Sequence, residues 1–425
     1  MHTPRRAVGL FFGLLLLARS AGAIDPADAA RQIQPLLDSQ DVLVIHFDPA
    51  RYELKGLEDW WADLVQRVVP PPQRDVVLKQ LRNAMQQMRE WMGEIQKAGA
   101  KQVFVLVRAD GGPPALVFPL EPGANAEQLQ KVLRAGPQKR EPTADQPPFT
   151  TSVKNAVLMA DSKNVLTRVE KAKGEARIDL QPALAAVADA PLQVALLPAP
   201  EARQSLEQQL RKMALLPAVN PAAVIGNIRW AALGAGDKDG MSLRLIVQAP
   251  DGRAAQSIED AISRALDALQ KQVPAAAKAV PMLTPRVQGT QLVLELNARQ
   301  VRSLSENVVA PVMVLQQQIA MRSASANVIR ALVARGRQYA ESHNGAWPDT
   351  IEALAGDQKW LLLDPRSPER RVGFVYVKPK AQPGAQTVVI YEAYDNWGEG
   401  INVGFGDGHV EWVKDEAKFR KQLEE

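Results

Sequence analysis

The sequence contains no cysteine, and this absence excludes several kinds of site. Disulfides, thiolate zinc sites, iron–sulfur clusters and a lipoprotein anchor all require the thiol, so none of them forms in these 425 residues. Aromatic residues are scarce at 5%, whereas 46% of the residues are hydrophobic, which is enough to bury several cores. We therefore expect two or three domains that are held together by packing alone.

An excess of charge of one sign is also lacking, because 51 Lys and Arg residues face 47 Asp and Glu residues. The net charge of +4 falls to +1 without Arg5, Arg6 and Arg19, the three arginines of the acid-free residues 1–23. A nearly neutral protein has no electrostatic reason to bind nucleic acid or an anionic membrane.

Common catalytic patterns are missing as well. None of HExxH, GxSxG or GxxxxGK[ST] occurs, so the zinc-hydrolase, serine-hydrolase and P-loop templates fail. An enzyme would need His343 or His409 to meet a carboxylate in a pocket. We predict a protein that is not an enzyme and has no catalytic or cofactor-binding residues.

Residues 1–23 have the three parts of a secretory signal peptide. Arg5 and Arg6 precede an apolar run over residues 7–18, and the small residues Ala-Gly-Ala at 21–23 form a cleavage site. The run is shorter than the roughly 20 residues that span a bilayer; the alternative is an uncleaved N-terminal anchor. We predict an exported protein, periplasmic or extracellular, whose mature chain has no transmembrane span.

Two stretches of the chain repeat one order of elements. The first contains a strand at 41–47, helices at 57–69 and 74–97, a hairpin over 102–120, a helix at 125–134, a strand at 156–159 and a helix at 162–171. The second contains a strand at 192–197, a helix at 201–215, a hairpin over 228–248, a helix at 254–271, a strand at 291–296 and a helix from 298. This order predicts an α+β fold with two repeated βαββαβ-like modules, residues 24–178 and 179–305. We expect each sheet to be covered on one face.

The pattern changes near residue 306. Apolar residues recur at helical spacing from Val308 to Tyr339, which predicts one helix of more than thirty residues that stops at Asn344-Gly345. Short strands follow at 372–378, 387–391, 401–404 and 409–413. A long helix followed by a small antiparallel sheet makes residues 306–425 a third domain.

Two motifs in this last domain are specific. The first is a turn made by Tyr339, His343, Gly345, Trp347 and Pro348, and the second is the run Asn-Val-Gly-Phe-Gly-Asp-Gly-His-Val-Glu-Trp at 402–412. With these motifs the last quarter of the chain resembles bacterial pseudopilin-like proteins, relatives of the type II secretion major pseudopilin. The N-terminal region resembles uncharacterised regions of bacterial envelope proteins.

The sequence departs from the pseudopilin pattern at two points. The family's C-terminal motif is a His followed after nine residues by Asp-Gly, and Trp397 stands in the place of that His. The prepilin leader and its membrane-spanning stem are absent, because this domain lies at the C-terminus of the chain. The resemblance therefore implies a fold and a class of partners, envelope or secretion-system proteins, and not pilus assembly.

The resemblance also implies a calcium site, since major pseudopilins hold calcium in the loops of their C-terminal sheet. The oxygen-bearing residues in the corresponding stretch are Asp395, Asn396, Glu399, Asn402 and Asp407. Calcium takes six to eight such oxygens. The other interpretation is a set of polar turns, in which Asp407 accepts backbone N–H bonds and Gly408 supplies a positive φ.

Other conspicuous residues have ordinary structural interpretations. His46 lies in an apolar strand and is expected to be structural. Met85, Met88, Trp91 and Met92 recur at helical spacing, which favours core packing over a ligand groove. Trp60 and Trp61 are adjacent, so we expect them to point to different faces, one of them exposed. Asp237-Lys238-Asp239-Gly240 lacks the later ligands of an EF-hand and is expected to be a hairpin turn.

The sequence as a whole predicts an exported protein with a structural or protein-interaction role in the cell envelope. The alternative is a lipid- or peptide-binding module that uses a cleft between the repeated modules, for which a large apolar pocket would be the evidence.

Overall fold

The computed structural model describes residues 25–49, 51, 54–69, 71–137, 148–174, 177–212, 221–236, 240–272, 274–363, 373–380, 382–393 and 400–424. The chain forms two compact units, one ending at Pro311 and the other beginning at Val312. We call them the N-terminal and the C-terminal unit. No helix among the described residues combines the length and apolar character needed to cross a membrane.

The N-terminal unit contains one ten-stranded sheet. Its strands are β1 (Asp41–Phe47), β2 (Val103–Arg108), β3 (Ala115–Pro119), β4 (Phe149–Val153), β5 (Ala156–Ala160), β6 (Leu192–Leu196), β7 (Trp230–Gly236), β8 (Ser242–Gln248), β9 (Arg286–Gln288) and β10 (Gln291–Leu296). Their order across the sheet is β4-β5-β3-β2-β1-β6-β7-β8-β10-β9, and all neighbours pair antiparallel.

The helices of this unit connect the strands. They are α1 (Pro26–Ile33), α2 (Leu54–Val68), α3 (Pro71–Lys97), α4 (Ala126–Ala135), α5 (Lys163–Glu170), α6 (Leu180–Ala185), α7 (Pro200–Lys212), α8 (Pro221–Gly226), α9 (Gly252–Gln272), α10 (Val280–Leu283) and α11 (Ala298–Leu304). The predicted hairpin around Gly111 is confirmed by the pairing of β2 with β3.

The sheet has two halves with the same strand order. Counted outward from the centre, the first half reads β1-β2-β3-β5-β4 and the second reads β6-β7-β8-β10-β9. Strands β1 and β6 pair with each other at the centre, with His46 opposite Gln193. The two halves therefore share one sheet instead of forming separate domains, and we call the β1–β6 pair the seam.

Helices cover both faces of the first half, so the expectation of one covered face is wrong. On one face Val44, Phe104 and Leu158 pack with side chains of α1, α5 and α6. On the other face Ile45, Phe118 and Met159 pack with side chains of α3 and α4. Strands with both faces buried lose the alternation of polar and apolar residues, as DVLVIHF in β1 illustrates.

The methionine-rich helix α3 contributes its apolar stripe to the second of these cores. Met85, Trp91 and Met92 are buried, and Met88 packs against them, which confirms the interpretation as core packing. The Trp91 indole N–H donates to the carbonyl of Val132 at 3.0 Å, which satisfies the polar end of the ring.

Trp60 and Trp61 differ from the sequence expectation, because neither is exposed. Both are partly buried against the α3 side of the sheet, and their rings meet edge to face at 5.0 Å. The Trp60 Nε1–H donates to the Ser305 hydroxyl at 2.6 Å, in a π-helical turn over Ser305–Val309. A long-range partner of this kind leaves no signal in the local sequence.

The C-terminal unit packs a long helix on a small antiparallel sheet. The helix is α12 (Ala310–Ser342), and the strands β11 (Phe374–Tyr376), β12 (Val388–Glu392), β13 (Ile401–Phe405) and β14 (Val410–Val413) lie in sequence order. Two shorter helices, α13 (Ile351–Ala355) and α14 (Glu416–Glu424), complete the unit. The predicted long helix and its stop are confirmed, since Asn344 and Gly345 both have positive φ.

Close approaches to the long helix make two glycines necessary in this unit. Gly336 of α12 faces the ring of Trp347, so that a Cβ there would lie 2.6 Å from Cε3. Gly404 of β13 faces Ile329 and Val333 of α12, and a Cβ would lie 3.3 Å from a methyl of Val333. The absence of side chains at these positions lets α12 pack closely against the Trp347 ring and against β13.

Candidate functional site

The predicted calcium ligands are only partly described. Asp395, Asn396 and Glu399 lie outside the described residues, as do Trp397 and residues 237–239 of the expected hairpin turn. Asn402 lies near the start of β13, and Asp407 lies in the turn after it. A strand rises about 3.3 Å per residue. The Cα atoms of Asn402 and Asp407 therefore lie at opposite ends of β13.

Asn402 belongs to a buried polar cluster around Glu392. Its backbone N–H donates to Glu392 Oε2 at 2.7 Å. Its side-chain amide donates to Glu392 Oε1 at 3.1 Å and to the carbonyl of Arg322 at 3.0 Å. The Ser325 hydroxyl also donates to Glu392 Oε1. We call Glu392, Asn402 and Ser325 the Glu392 cluster; all three are buried.

The Glu392 cluster joins the long helix to two strands of the sheet. Ser325 comes from α12, Glu392 from the end of β12 and Asn402 from β13. The guanidinium of Arg322, one turn before Ser325, lies 3.7 Å above the ring of Trp412 on β14. A buried carboxylate is tolerated when donors surround it. The cluster was not predicted, and its one sequence signal is an acid ending the apolar strand VVIYE.

Asp407 and His409 form a local turn on the surface. Asp407 Oδ1 accepts the backbone N–H of His409 at 3.0 Å and lies 2.5 Å from His409 Nδ1. The backbone bond, followed by the side-chain bond, lowers the pKa of Asp407. Gly408 between them has a φ of +97°. This geometry confirms the structural interpretation of the Asp-Gly-His turn.

Calcium addition tests the remaining interpretation of these residues. We expect the same melting temperature in EDTA and in millimolar calcium, because both side chains already have protein partners: the Asn402 amide donates to Glu392 and to the Arg322 carbonyl, and the Asp407 carboxylate accepts from the N–H of His409. The described residues contain no group of three or more His, Cys, Asp or Glu arranged to hold a metal.

A measurable rise in the melting temperature would contradict this expectation. A ligand at a hundred times its Kd stabilises the folded state by about 2.7 kcal/mol. Such a rise, lost in Asp407→Asn, would identify the calcium site that the resemblance implies.

His343 lies at the exposed end of α12. Its ring stacks on Tyr339 at 3.7 Å, and its Nδ1 lies 2.9 Å from the Tyr339 carbonyl and 3.0 Å from the Ser342 hydroxyl. His409 lies on a separate turn, where its ring stacks on Phe405 at 4.4 Å. Both histidines are exposed.

His46 is buried, as expected of a structural histidine in an apolar strand. Its side chain lies between Gln193 Oε1, 3.1 Å from Nδ1, and Gln102 Oε1, 3.1 Å from Nε2. The ring stacks on Phe104 at 4.6 Å. We call His46, Gln102 and Gln193 the His46 triad.

Two grooves open on the N-terminal unit. The larger has a volume of about 630 Å³ and is lined by residues between Val187 and Gln300, so it lies within the second half of the sheet. Its charged residues are Asp189, Arg244, Arg286 and Glu295, of which Arg244 and Glu295 pair at 3.2 Å. The smaller groove, of about 410 Å³, is lined by three arginines and three prolines among other residues.

No protein-family model matches the chain, and no curated protein matches it. Among solved structures, the chain is similar to the structure of crystal form I of TP0453, with a TM-score of 0.29 and 11% sequence identity. That similarity covers 64% of this chain and 96% of the other. At this level it carries no argument about fold or function.

Proposed function

We propose that the protein is exported by its N-terminal signal peptide and has a non-enzymatic structural or interaction role in the cell envelope. The C-terminal unit is then a pseudopilin-like domain that binds another envelope or secretion-system protein, and the N-terminal unit is an internally duplicated scaffold. The observation that supports this proposal best is the distribution of exposed apolar side chains.

Large exposed hydrophobic residues are concentrated in the C-terminal unit. Among the described residues, seven of the ten such side chains lie after Val312, in about a quarter of the chain: Met313, Leu315, Ile319, Tyr339, Trp360, Leu363 and Val375. Monomeric soluble proteins seldom leave large apolar surface uncovered, and surface of this kind marks interaction sites.

Trp360 is the most exposed of these side chains, at 62%. Leu363 lies three residues after Trp360. The carbonyl of Leu362, between them, accepts the N–H of Gly373 at 2.9 Å. Val375 lies two residues beyond Gly373 on the edge strand β11. Tryptophan is enriched among residues that dominate binding energies at protein interfaces.

The architecture of each unit is compatible with the proposal. A long helix against a four-stranded antiparallel sheet is the arrangement that the pseudopilin-like resemblance implies. The identical strand order of the two sheet halves supports an internal duplication, because different orders would have argued against it.

A crosslinking experiment on intact cells tests the interaction role. We expect the full chain to capture an envelope protein, and Trp360→Ser to reduce that capture at least tenfold, because a buried interface tryptophan contributes about 2 kcal/mol or more. Ile178→Ser is the matched control, since Ile178 is 72% exposed but belongs to the N-terminal unit.

Equal loss of the partner in both variants would contradict a site on the C-terminal unit. Recovery of the full chain without any partner would contradict the interaction role itself.

The second candidate is peptide binding in the larger groove, which differs from the cleft between the modules that the sequence alternative requires, because its lining comes from the second half of the sheet alone. Four charged side chains in the lining suit a polar ligand better than an acyl chain. Thermal shifts with oleate and with mixed dipeptides distinguish the two ligands, and this candidate requires stabilisation by the dipeptides alone.

A further inference from the structure

The His46 triad lies at the one place where the two halves of the ten-stranded sheet meet. His46 of β1 is opposite Gln193 of β6 across the seam and opposite Phe104 of β2 on its other side. Gln102 directly precedes β2. The triad therefore adds side-chain hydrogen bonds to the backbone pairing that joins the first half to the second.

Hydrogen-bond geometry decides which nitrogen of His46 carries the proton. The amide nitrogen of Gln193 donates to the carbonyls of Ala188, at 3.3 Å, and Ala190, at 3.1 Å. Gln193 must then turn its oxygen toward His46, so Nδ1 is the protonated nitrogen in the neutral ring. Nε2 of a neutral ring is an acceptor and needs a donor from Gln102.

Gln102 can serve either protonation state by rotating its amide group. With its oxygen toward Nε2, as the structure has it, Gln102 accepts from a doubly protonated ring. After a half turn about the terminal bond, its NH₂ donates to Nε2 of a neutral ring. The amide of Gln193 is held in place by two carbonyls, so Gln102 is the adjustable member of the triad.

The surroundings of His46 favour the neutral ring. The side chain is almost fully buried, and burial is the main cause that lowers the pKa of His46. The two glutamine bonds act in the opposite direction, and the positive charge of Arg51 adds to the lowering.

Among the described residues, no carboxylate is hydrogen-bonded to the His46 imidazole. Arg51 donates to the carbonyls of Ala188, at 3.2 Å, and Asp189, at 2.7 Å, in the loop that Gln193 also binds. Asp48 directly follows β1 and is buried. Its backbone N–H donates to the carbonyl of Pro191 at 2.9 Å. The hydrogen bonds of the imidazole are to the side-chain amide oxygens of the two glutamines. Helix α6 contributes apolar Leu180, Ala183 and Leu184 to the core that contains Phe104, on which the ring stacks.

We propose that the His46 triad is a proton-sensitive fastening of the seam between the two halves of the sheet. With a neutral ring, all three side chains are hydrogen-bonded and the halves are held together. Protonation places an imidazolium in a buried site beside the positive charge of Arg51, where both described hydrogen-bond partners of the ring are uncharged glutamines, and this weakens the seam. This role rests on the export proposed above, which exposes the protein to the pH outside the cytoplasm.

The direction of the pH dependence follows from the lowered pKa. The unfolded chain protonates His46 at about pH 6.5, whereas the folded protein takes up this proton only at lower pH. Between these two values the unfolded state binds more protons, so stability falls as the pH falls. One proton changes the unfolding equilibrium constant by up to about tenfold per pH unit, and its contribution is constant above pH 7.

Two measurements on the full chain test the proposal. Nitrogen NMR of the histidine rings at pH 7.5 should show His46 as the Nδ1–H tautomer, with a pKa below 6.5. Hydrogen exchange of the β1 and β6 amides should accelerate between pH 6.5 and pH 5 after correction for intrinsic rates, whereas the β12 and β13 amides should not change. His343→Gln should leave this pattern unchanged.

Gln102→Glu places a carboxylate next to Nε2 and is the decisive variant. A glutamate beside Nε2 should raise the pKa of His46 and abolish the acid-dependent acceleration. The proposal is overturned if His46 in the natural chain is the Nε2–H tautomer or titrates at 6.5 or above. It is overturned equally if Gln102→Glu keeps the acid-dependent opening, and the NMR result decides the question should that variant fail to fold.

Discussion

Replacing Glu392 with leucine is expected to destabilise the C-terminal unit by about 3 kcal/mol. The substitution removes the acceptor of the Asn402 backbone N–H, the Asn402 amide and the Ser325 hydroxyl, all inside the protein. A buried donor left without its partner costs about 1–3 kcal/mol. Asn402 keeps one bond to the carbonyl of Arg322, which limits the loss from its side chain.

Hydrogen exchange of the β12 and β13 amides measures this change, because it reports the opening free energy of one unit separately from the other. Glu411→Leu is the matched control: the same substitution on neighbouring β14, at an exposed position, should change stability by less than about 0.5 kcal/mol. Glu392→Gln should lie between the two. An equal effect of Glu392→Leu and Glu411→Leu would mean that the Glu392 cluster contributes nothing specific.

The second large effect is the contrast between a glycine-to-alanine substitution in α12 and the same substitution in α3. Gly336→Ala is expected to destabilise the C-terminal unit by about 2 kcal/mol, since the new methyl would lie 2.6 Å from Cε3 of the buried Trp347 ring and 3.0 Å from Leu354. Gly93→Ala in α3 meets no atom within 4 Å. It should therefore stabilise the N-terminal unit by about 0.5–1 kcal/mol through helix propensity alone.

Hydrogen exchange within α12 and α3 gives both values, and the opposite signs are the result to look for. Gly336→Ala combined with Trp347→Leu should recover much of the loss if the ring is the obstacle. A neutral or stabilising Gly336→Ala would show that α12 and the Trp347 turn separate at little cost.

Local sequence patterns were sufficient for most helices and strands. The long helix α12, its stop at Asn344-Gly345 and the β2–β3 hairpin follow from apolar periodicity and from residues that tolerate positive φ. The short strands β4 and β9 were missed, because each is a brief segment on an edge of the sheet with a single neighbour. Six short helices were missed as well, since short helices carry few turns of periodicity: α1, α6, α8, α10, α13 and α14.

Nothing in the local sequence indicates that the two segments with the same order of elements share one sheet. That outcome depends on the pairing of β1 with β6, about 150 residues apart, and the buried strands are apolar enough to pair in more than one arrangement. The same limitation applies to the expectation of a single covered face. Periodicity identifies which residues avoid water, but it does not identify which helix covers them.

The candidate sites also differ in whether neighbouring or distant residues form them. A turn such as Asp407-Gly408-His409 is made by neighbouring residues, so its hydrogen bonds could be anticipated from residue types alone. The His46 triad and the Glu392 cluster join residues that are far apart in the chain. The apolar strands around His46 and Glu392 indicate that these two groups are buried, but nothing in the local sequence identifies their partners. Backbone preferences and hydrophobic periodicity act over a few residues and are written in the chain. The partners of a buried polar group are chosen when distant elements pack, because only then does its desolvation have to be compensated.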